Sequence, residues 1–131
     1  MAETLHYDVA IIGAGPAGLA AAEDVKAAGK SVVLIEKYLW GGTCPNYGCD
    51  PKKILLAAVE AKEHVDFLRG DGVDGKVDIN WEDLMGRKMR FTEAIPDKTV
   101  HSLDANGIGH IYGAAHFINE DTVIVHGDED V

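Results

Sequence analysis

Two cysteines five residues apart, Cys44 and Cys49, lie within Gly41-Gly42-Thr43-Cys44-Pro45-Asn46-Tyr47-Gly48-Cys49-Asp50-Pro51-Lys52-Lys53. A thiol pair can bind metal, form a bridge, rest inert in a core or exchange electrons with another disulfide. On a regular helix residues five apart stand about 7.5 Å apart along the axis and roughly 140° apart around it. A disulfide needs Cα atoms about 4.4 to 6.8 Å apart, so only a distorted backbone could join the two. Pro45, Gly48 and Pro51 supply distortion, and Asp50-Pro51 are expected as N-cap and first residue of the next helix. Cys49 then faces a helix N-terminus near Lys52 and Lys53, a setting that favours thiolate, with Asp50 opposing it. No zinc site is expected, because one cysteine pair and six scattered histidines give no four-ligand set at familiar spacing. Inert thiols fit poorly with so much glycine and proline around them, and a secretory disulfide fits poorly with an N-terminus lacking signal-peptide features. A redox-active pair remains.

The second chemical motif is Gly13-Ala14-Gly15-Pro16-Ala17-Gly18, which fits GxGxxG between an apolar run and a helix pattern. Gly13 suits a tight turn, Gly15 lets backbone approach a pyrophosphate, and Gly18 allows close helix-to-strand packing. A helix N-terminus offers N–H groups and partial positive charge to phosphates. Glu36 closes the next strand pattern 18 residues after Gly18, where a carboxylate accepts from ribose hydroxyls and disfavours a 2′-phosphate. The ligand is expected to be FAD or NAD.

These residues need positioning elements. Tyr7–Ile12 is β-branched and apolar, expected as a central parallel strand. Residues 16–28 read as a helix closed by Gly29, and Ser31–Glu36 as a second buried strand, which makes a βαβ unit and an α/β fold with a parallel sheet. Ile54–Arg69 carries Leu55, Leu56, Val59, Val65 and Leu68 at helical spacing, and Gly70–Lys76 is a polar turn. A further helix is expected from Asn80, its N-cap, with Pro96 interrupting it; its Trp81, Leu84, Met85, Met89 and Phe91 are expected in the core. Short strand-like runs at His110–Tyr112, Ala115–Ile118 and Thr122–Val125 predict a small β-meander.

The chain has 131 residues and a formal charge of −10, from 12 Lys+Arg and 22 Asp+Glu. After Lys98 no cation occurs while Asp104, Glu120, Asp121, Asp128, Glu129 and Asp130 add six acids. No basic stripe is available for nucleic acid. At 47% hydrophobic and 26% charged the composition is globular, with no apolar run long enough to cross a bilayer. The expected compartment is the cytoplasm, where stable structural disulfides are uncommon.

Taken together, GxGxxG, the acid ending the second strand and Gly-Gly-Thr-Cys-x-Asn-x-Gly-Cys-x-Pro-x-Lys resemble the pyridine-nucleotide flavoprotein disulfide reductases, among them glutathione reductase, dihydrolipoamide dehydrogenase and mercuric reductase. Gly113-Ala114-Ala115-His116-Phe117 is similar to the stretch that touches the adenine end of FAD in that family. The resemblance implies a Rossmann-like FAD-binding domain. FAD would contact Gly13, Gly15, Pro16, Ala17 and Gly18, then Glu36 and Lys37. Gly42, Thr43 and Cys44, one of Lys52 and Lys53, and Gly113, Ala114 and Ala115 would complete its site. It further implies that NAD(P)H reduces the flavin, that Cys49 is the thiolate beside it, and that Cys44 attacks a small disulfide substrate. Pro45 and Asp50 depart from the aliphatic residues usual in the family.

By the same resemblance the chain, 1–131, is expected to be the N-terminal part of the FAD domain, with the cysteine segment at 41–53 and the NAD(P)H and dimer-interface domains elsewhere. The family's acid-base histidine would lie there too, which leaves His6, His64, His101, His110, His116 and His126 with structural or surface roles. The full-length parent is expected to be a homodimeric enzyme, the chain alone inactive. Pro-Lys-Lys is more similar to glutathione reductase, whereas Pro16 and Glu23 stand where glutathione-specific enzymes have a serine and a base; mercuric reductase is third. A non-catalytic FAD module and a flavin-free thiol sensor are the alternatives from other classes.

Overall fold

The computed structural model describes residues 4–127; Asp128, Glu129 and Asp130 of the acidic terminus lie outside them. The chain begins β1 (Val9–Ile12), α1 (Pro16–Ala27) and β2 (Val32–Glu36), the expected βαβ unit. α1 starts with Pro16 in its first turn, where proline lacks no needed hydrogen bond, and ends before Gly29, whose φ of 77° suits glycine. Two consecutive helices, α2 (Thr43–Tyr47) and α3 (Cys49–Phe67), are followed by α4 (Trp81–Thr92) and α5 (Ile95–Ala105). The chain closes with β3 (Gly109–Tyr112), β4 (Ala114–Phe117) and β5 (Val123–His126).

β1, β2 and β3 form a parallel sheet in that order, with Ile12 opposite Ile35 and Glu36 opposite Tyr112. Among the described residues β2, not β1, is therefore the central strand, and burial follows position. Val32 to Ile35 are all buried, whereas Ile12 of β1 is half exposed. The three C-terminal runs do not make one meander either. β3 joins the parallel sheet, and β4 pairs only with β5, antiparallel.

The core forms where α1 and α5 cover one sheet face. Ala22, Val32, Leu34, Trp40, Leu103 and Ile108 are buried together, with Val9, Ile11, Leu19, Val25 and Val100 packed against them. Burying an aliphatic side chain of this size contributes about 1.5 to 3 kcal/mol. Trp40 meets the His110 ring edge-on at 5.5 Å, and His110 Nε2 lies 3.0 Å from Asp104 Oδ1.

Asn80 caps α4 as expected, its Oδ1 accepting from the Asp83 N–H at 3.3 Å. The helix ends at Thr92, and Pro96 falls in the first turn of α5, so the proline starts a helix rather than bending one. On α4 the expected core stripe is only partly buried. Leu84 and Met85 are half-buried, but Trp81, Met89 and Phe91 are exposed, because α4 packs along α3 at the edge of the molecule.

Candidate functional site

All three parallel strands deliver chemistry at their carboxyl ends, the edge where open α/β sheets bind ligands. β1 ends in the glycine turn, β2 in Glu36, and β3 in Tyr112-Gly113. Hydrogen bonds tie these ends together. Gly13 N–H donates to Ile35 O at 2.8 Å, and Gly113 N–H to Glu36 O at 2.8 Å. The Glu36 carboxylate accepts from Ala14 N–H at 2.9 Å through Oε2 and from Tyr38 N–H at 2.9 Å through Oε1. Each carboxylate oxygen keeps a further lone pair for a hydroxyl donor.

The three motif glycines are required for different reasons. At Gly18 an added Cβ would fall 2.0 Å from Gly13 O, so the helix can sit on the turn only as glycine. Gly13 has φ of 103°, a left-handed geometry that a side chain resists. At Gly15 the backbone is ordinary and extended, and a Cβ would meet only Gly42 Cα at 3.9 Å. The protein itself leaves room for a side chain there. Glycine at 15 is explained by a ligand approaching the backbone, and no side chain caps the α1 N-terminus that faces it. This open cradle, with an acceptor at Glu36, fits the diphosphate and ribose of FAD.

The cysteine segment is docked onto the same turn. Gly41 N–H donates to Ala14 O at 3.1 Å, and a Cβ on Gly42 would stand 2.5 Å from Gly15 Cα. Gly41 and Gly42 both have positive φ, 94° and 72°, and carry the chain from Trp40 into α2. Buried Asn46 fixes this bend: its Nδ2 donates to Trp40 O at 3.1 Å and to Gly42 O at 2.7 Å. Asn46 belongs to the cysteine motif, but only the fold reveals its role at the bend. A small amide four residues after a glycine pair was the available signal.

Gly48 separates α2 from α3, and this break answers how cysteines five apart can meet. An added Cβ at Gly48 would lie 2.9 Å from Thr43 O and 3.1 Å from Cys44 Cα. The two helix ends thus fold closely on each other. Asp50 is not the N-cap and Pro51 not the first residue: α3 begins at Cys49 with Gly48 as cap, two residues earlier than Asp50-Pro51 signalled. Proline is tolerated anywhere in a first turn, so the glycine break sets the start. Both cysteines are free thiols, Cys44 half-buried and Cys49 exposed. A hydrogen bond to the Cys49 side chain, followed by partial burial, holds the Cys44 thiol above its ordinary pKa, while the Cys49 N–H pulls it down.

The structure gathers Gly13, Gly15, Pro16, Ala17, Gly18, Glu36, Gly42 and Gly113 around one edge. Thr43 opens α2, Ala114 and Ala115 begin β4, and Lys37, Lys52 and Lys53 are exposed beside these elements. Among the described residues no group of three or more His, Cys, Asp or Glu side chains is placed to hold a metal ion. No described helix is long and apolar enough to cross a membrane.

Residues 7–130 match the model of the family described as pyridine nucleotide-disulphide oxidoreductase. The chain belongs to this family, and FAD and NAD(P)H are the cofactors that membership brings. It is 35% identical over 128 residues to dihydrolipoyl dehydrogenase of Corynebacterium glutamicum, covering 97% of this chain and 27% of that protein. Against dihydrolipoyl dehydrogenase of Bacillus subtilis it is 32% identical over 123 residues, 92% of this chain and 27% of the relative. Glutathione reductase of Debaryomyces hansenii is 32% identical over 136 residues, 95% of this chain and 28% of the relative. The chain thus spans about a quarter of the length of these curated relatives.

Proposed function

We propose that this chain is the FAD-binding and dithiol part of an NAD(P)H-dependent disulfide reductase that acts on a small disulfide, with glutathione reductase-like or dihydrolipoamide dehydrogenase-like chemistry. The observation that carries the reading is the Gly48 break, which folds the end of α2 that bears Cys44 against the start of α3 that bears Cys49, on a segment docked to the nucleotide turn. FAD, when bound, supplies the carrier that takes electrons from NAD(P)H and delivers them to the disulfide. The α1 N-terminus holds its diphosphate, Glu36 a ribose, Gly113 to Ala115 its adenine end, and Thr43 with Lys52 or Lys53 its reactive end.

By the family resemblance, Cys49 is the thiolate beside the flavin and Cys44 the thiol that attacks the substrate. As Cys44 attacks the substrate, its proton passes to Cys49. A mixed disulfide forms and one thiolate leaves. Cys49 then gives its proton to the departed thiolate and attacks the Cys44 sulfur, closing Cys44–Cys49 and releasing the second thiolate. Two electrons have moved from the dithiol to the substrate. NAD(P)H and dimer-interface domains, homodimer formation and cytoplasmic placement belong to the same proposal, the last because a working thiol pair suits a reducing compartment. A mercuric reductase-like enzyme, a non-catalytic FAD module and a flavin-free thiol sensor are the alternatives.

The test is an absorption spectrum of the purified chain with FAD, before and after reduction by one dithiol equivalent. Bound-flavin bands with a long-wavelength shoulder that survives Cys44→Ser but not Cys49→Ser are expected. Flavin bands without a shoulder would favour the non-catalytic module. Thiols that oxidise as a pair with no flavin bound would favour the sensor.

A further inference from the structure

The seam between α3 and α4, reached from Asp50, the residue after Cys49, holds a groove of about 480 Å³ lined by Asp50, Lys53, Ile54, Arg87, Arg90 and Phe91. Three of the chain's 12 Lys and Arg residues meet there, in a molecule whose net charge is −10. Lys53 stands one turn from Cys49 on the same face of α3, where side chains four apart are neighbours. Arg87, Arg90 and Phe91 are likewise neighbours on α4. Gly86 lies beside Arg90: a Cβ there would stand 3.7 Å from the guanidinium, an ordinary contact. Among the described residues none of Lys53, Arg87 and Arg90 has an ion pair or side-chain hydrogen bond, although acids outnumber cations nearly two to one. A solvated helix face would scatter such charges. Here they converge from two helices on an apolar floor of Ile54 and Phe91, with one carboxylate, Asp50, against them.

We infer that this groove selects the substrate: small disulfides carrying carboxylates, bound by Arg87, Arg90 and Lys53 beside the Cys44–Cys49 pair. The inference rests on the redox-pair reading above. Guanidinium forks match carboxylates in shape, and the volume suits a small molecule. Repulsion from the chain's excess acids is largely screened beyond about 8 Å at physiological salt, so contacts in the groove decide.

The chemistry needs no second protein. Reduced chain, freed of excess dithiothreitol, is mixed with dithiodipropionate, bis(hydroxyethyl) disulfide or cystamine, which carry two negative, no and two positive charges on similar frames. Formation of the intrachain disulfide is followed by acid quench and mass analysis, each rate divided by that of the same reagent with free mercaptoethanol. The dianion is expected to react about tenfold faster than the neutral reagent, the range electrostatic focusing reaches at a partly screened site, and the dication slowest. In R87Q/R90Q, checked for folding by circular dichroism, and in wild type at high salt, the dianion should fall to within about threefold of the neutral reagent. K76Q, a charge removed elsewhere, should leave all three rates as they were. Equal normalised rates for the three reagents, or an unaltered preference in R87Q/R90Q, would overturn the substrate class while leaving the redox pair standing. If no reagent closes the intrachain disulfide, the redox reading fails and the substrate class falls with it.

Discussion

At Gly15, Gly18 and Gly42 one residue type answers to two masters. Gly18 and Gly42 are glycine because the protein has no space: the nearest atoms to an added Cβ are backbone, at 2.0 Å and 2.5 Å, and backbone cannot swing aside. Gly15 is glycine with space to spare. G18A and G42A should therefore each destabilise the fold by several kcal/mol, the scale of severe steric mutations, whereas G15A should change stability by less than about 0.5 kcal/mol. FAD affinity should reverse the ranking for G15A, which loses binding while staying folded. Thermal melts with and without FAD check both halves. A folded, FAD-binding G15A would remove the argument that a diphosphate meets the backbone there.

Among the elements, the cysteine segment depends on Asn46. Its amide is buried and both hydrogens are used, on Trp40 O and Gly42 O, so Asn46→Ala orphans two acceptors at the bend. Leaving buried polar groups unpaired costs about 1 to 3 kcal/mol. Asn46→Ala should lower the melting temperature and slow closure of the Cys44–Cys49 disulfide, since the bend that places α2 against α3 loosens. Asn80→Ala, a cap lost at α4, should cost about 1 kcal/mol and leave closure unchanged. Equal closure rates in both variants would deny Asn46 its positioning role. The same elements mark how far sequence could be followed. The βαβ unit, the Asn80 cap and the convergence of glycine turn, Glu36 and Gly113 were legible, because each rests on local rules of strand, turn and cap. The place of β1 at the sheet edge was not, since an apolar run reports burial without naming its neighbours. Trp81, Met89 and Phe91 were misplaced for a related reason: helical period locates a stripe but not what covers it. The groove at Arg87 and Arg90 was invisible too, because it depends on two helices lying side by side.

For the whole molecule, charge sets how stability responds to pH and salt. Asp8 accepts from the Ser31 N–H and hydroxyl, both at 2.8 Å, which holds its carboxyl below the usual range; Asp66 is held below it mainly by its hydrogen bond from Lys62, with Arg69 adding to this. A lowered carboxylate contributes stability above its unfolded pKa and loses it as pH falls through the lower folded value. Cys44, raised by its bond to Cys49, behaves oppositely: its contribution is present below the ordinary thiol pKa and is lost as pH rises through the folded value. All three groups are solvent-accessible, so both limbs are shallow. Between them lies the effect of net charge, −10 at pH 7 and near zero at the isoelectric point of about 4.8. Self-repulsion should therefore ease as pH falls from 7 toward 5, and added salt should raise the melting temperature at pH 7 more than at pH 5. Scans of the reduced protein across pH, at low and high salt, with D8N and C44S for comparison, check this. D8N should flatten the acid limb and C44S the alkaline one. A melting temperature that salt lowers at pH 7 would mean that the few ion pairs, Lys62–Asp66 among them, outweigh the repulsion of the excess acids.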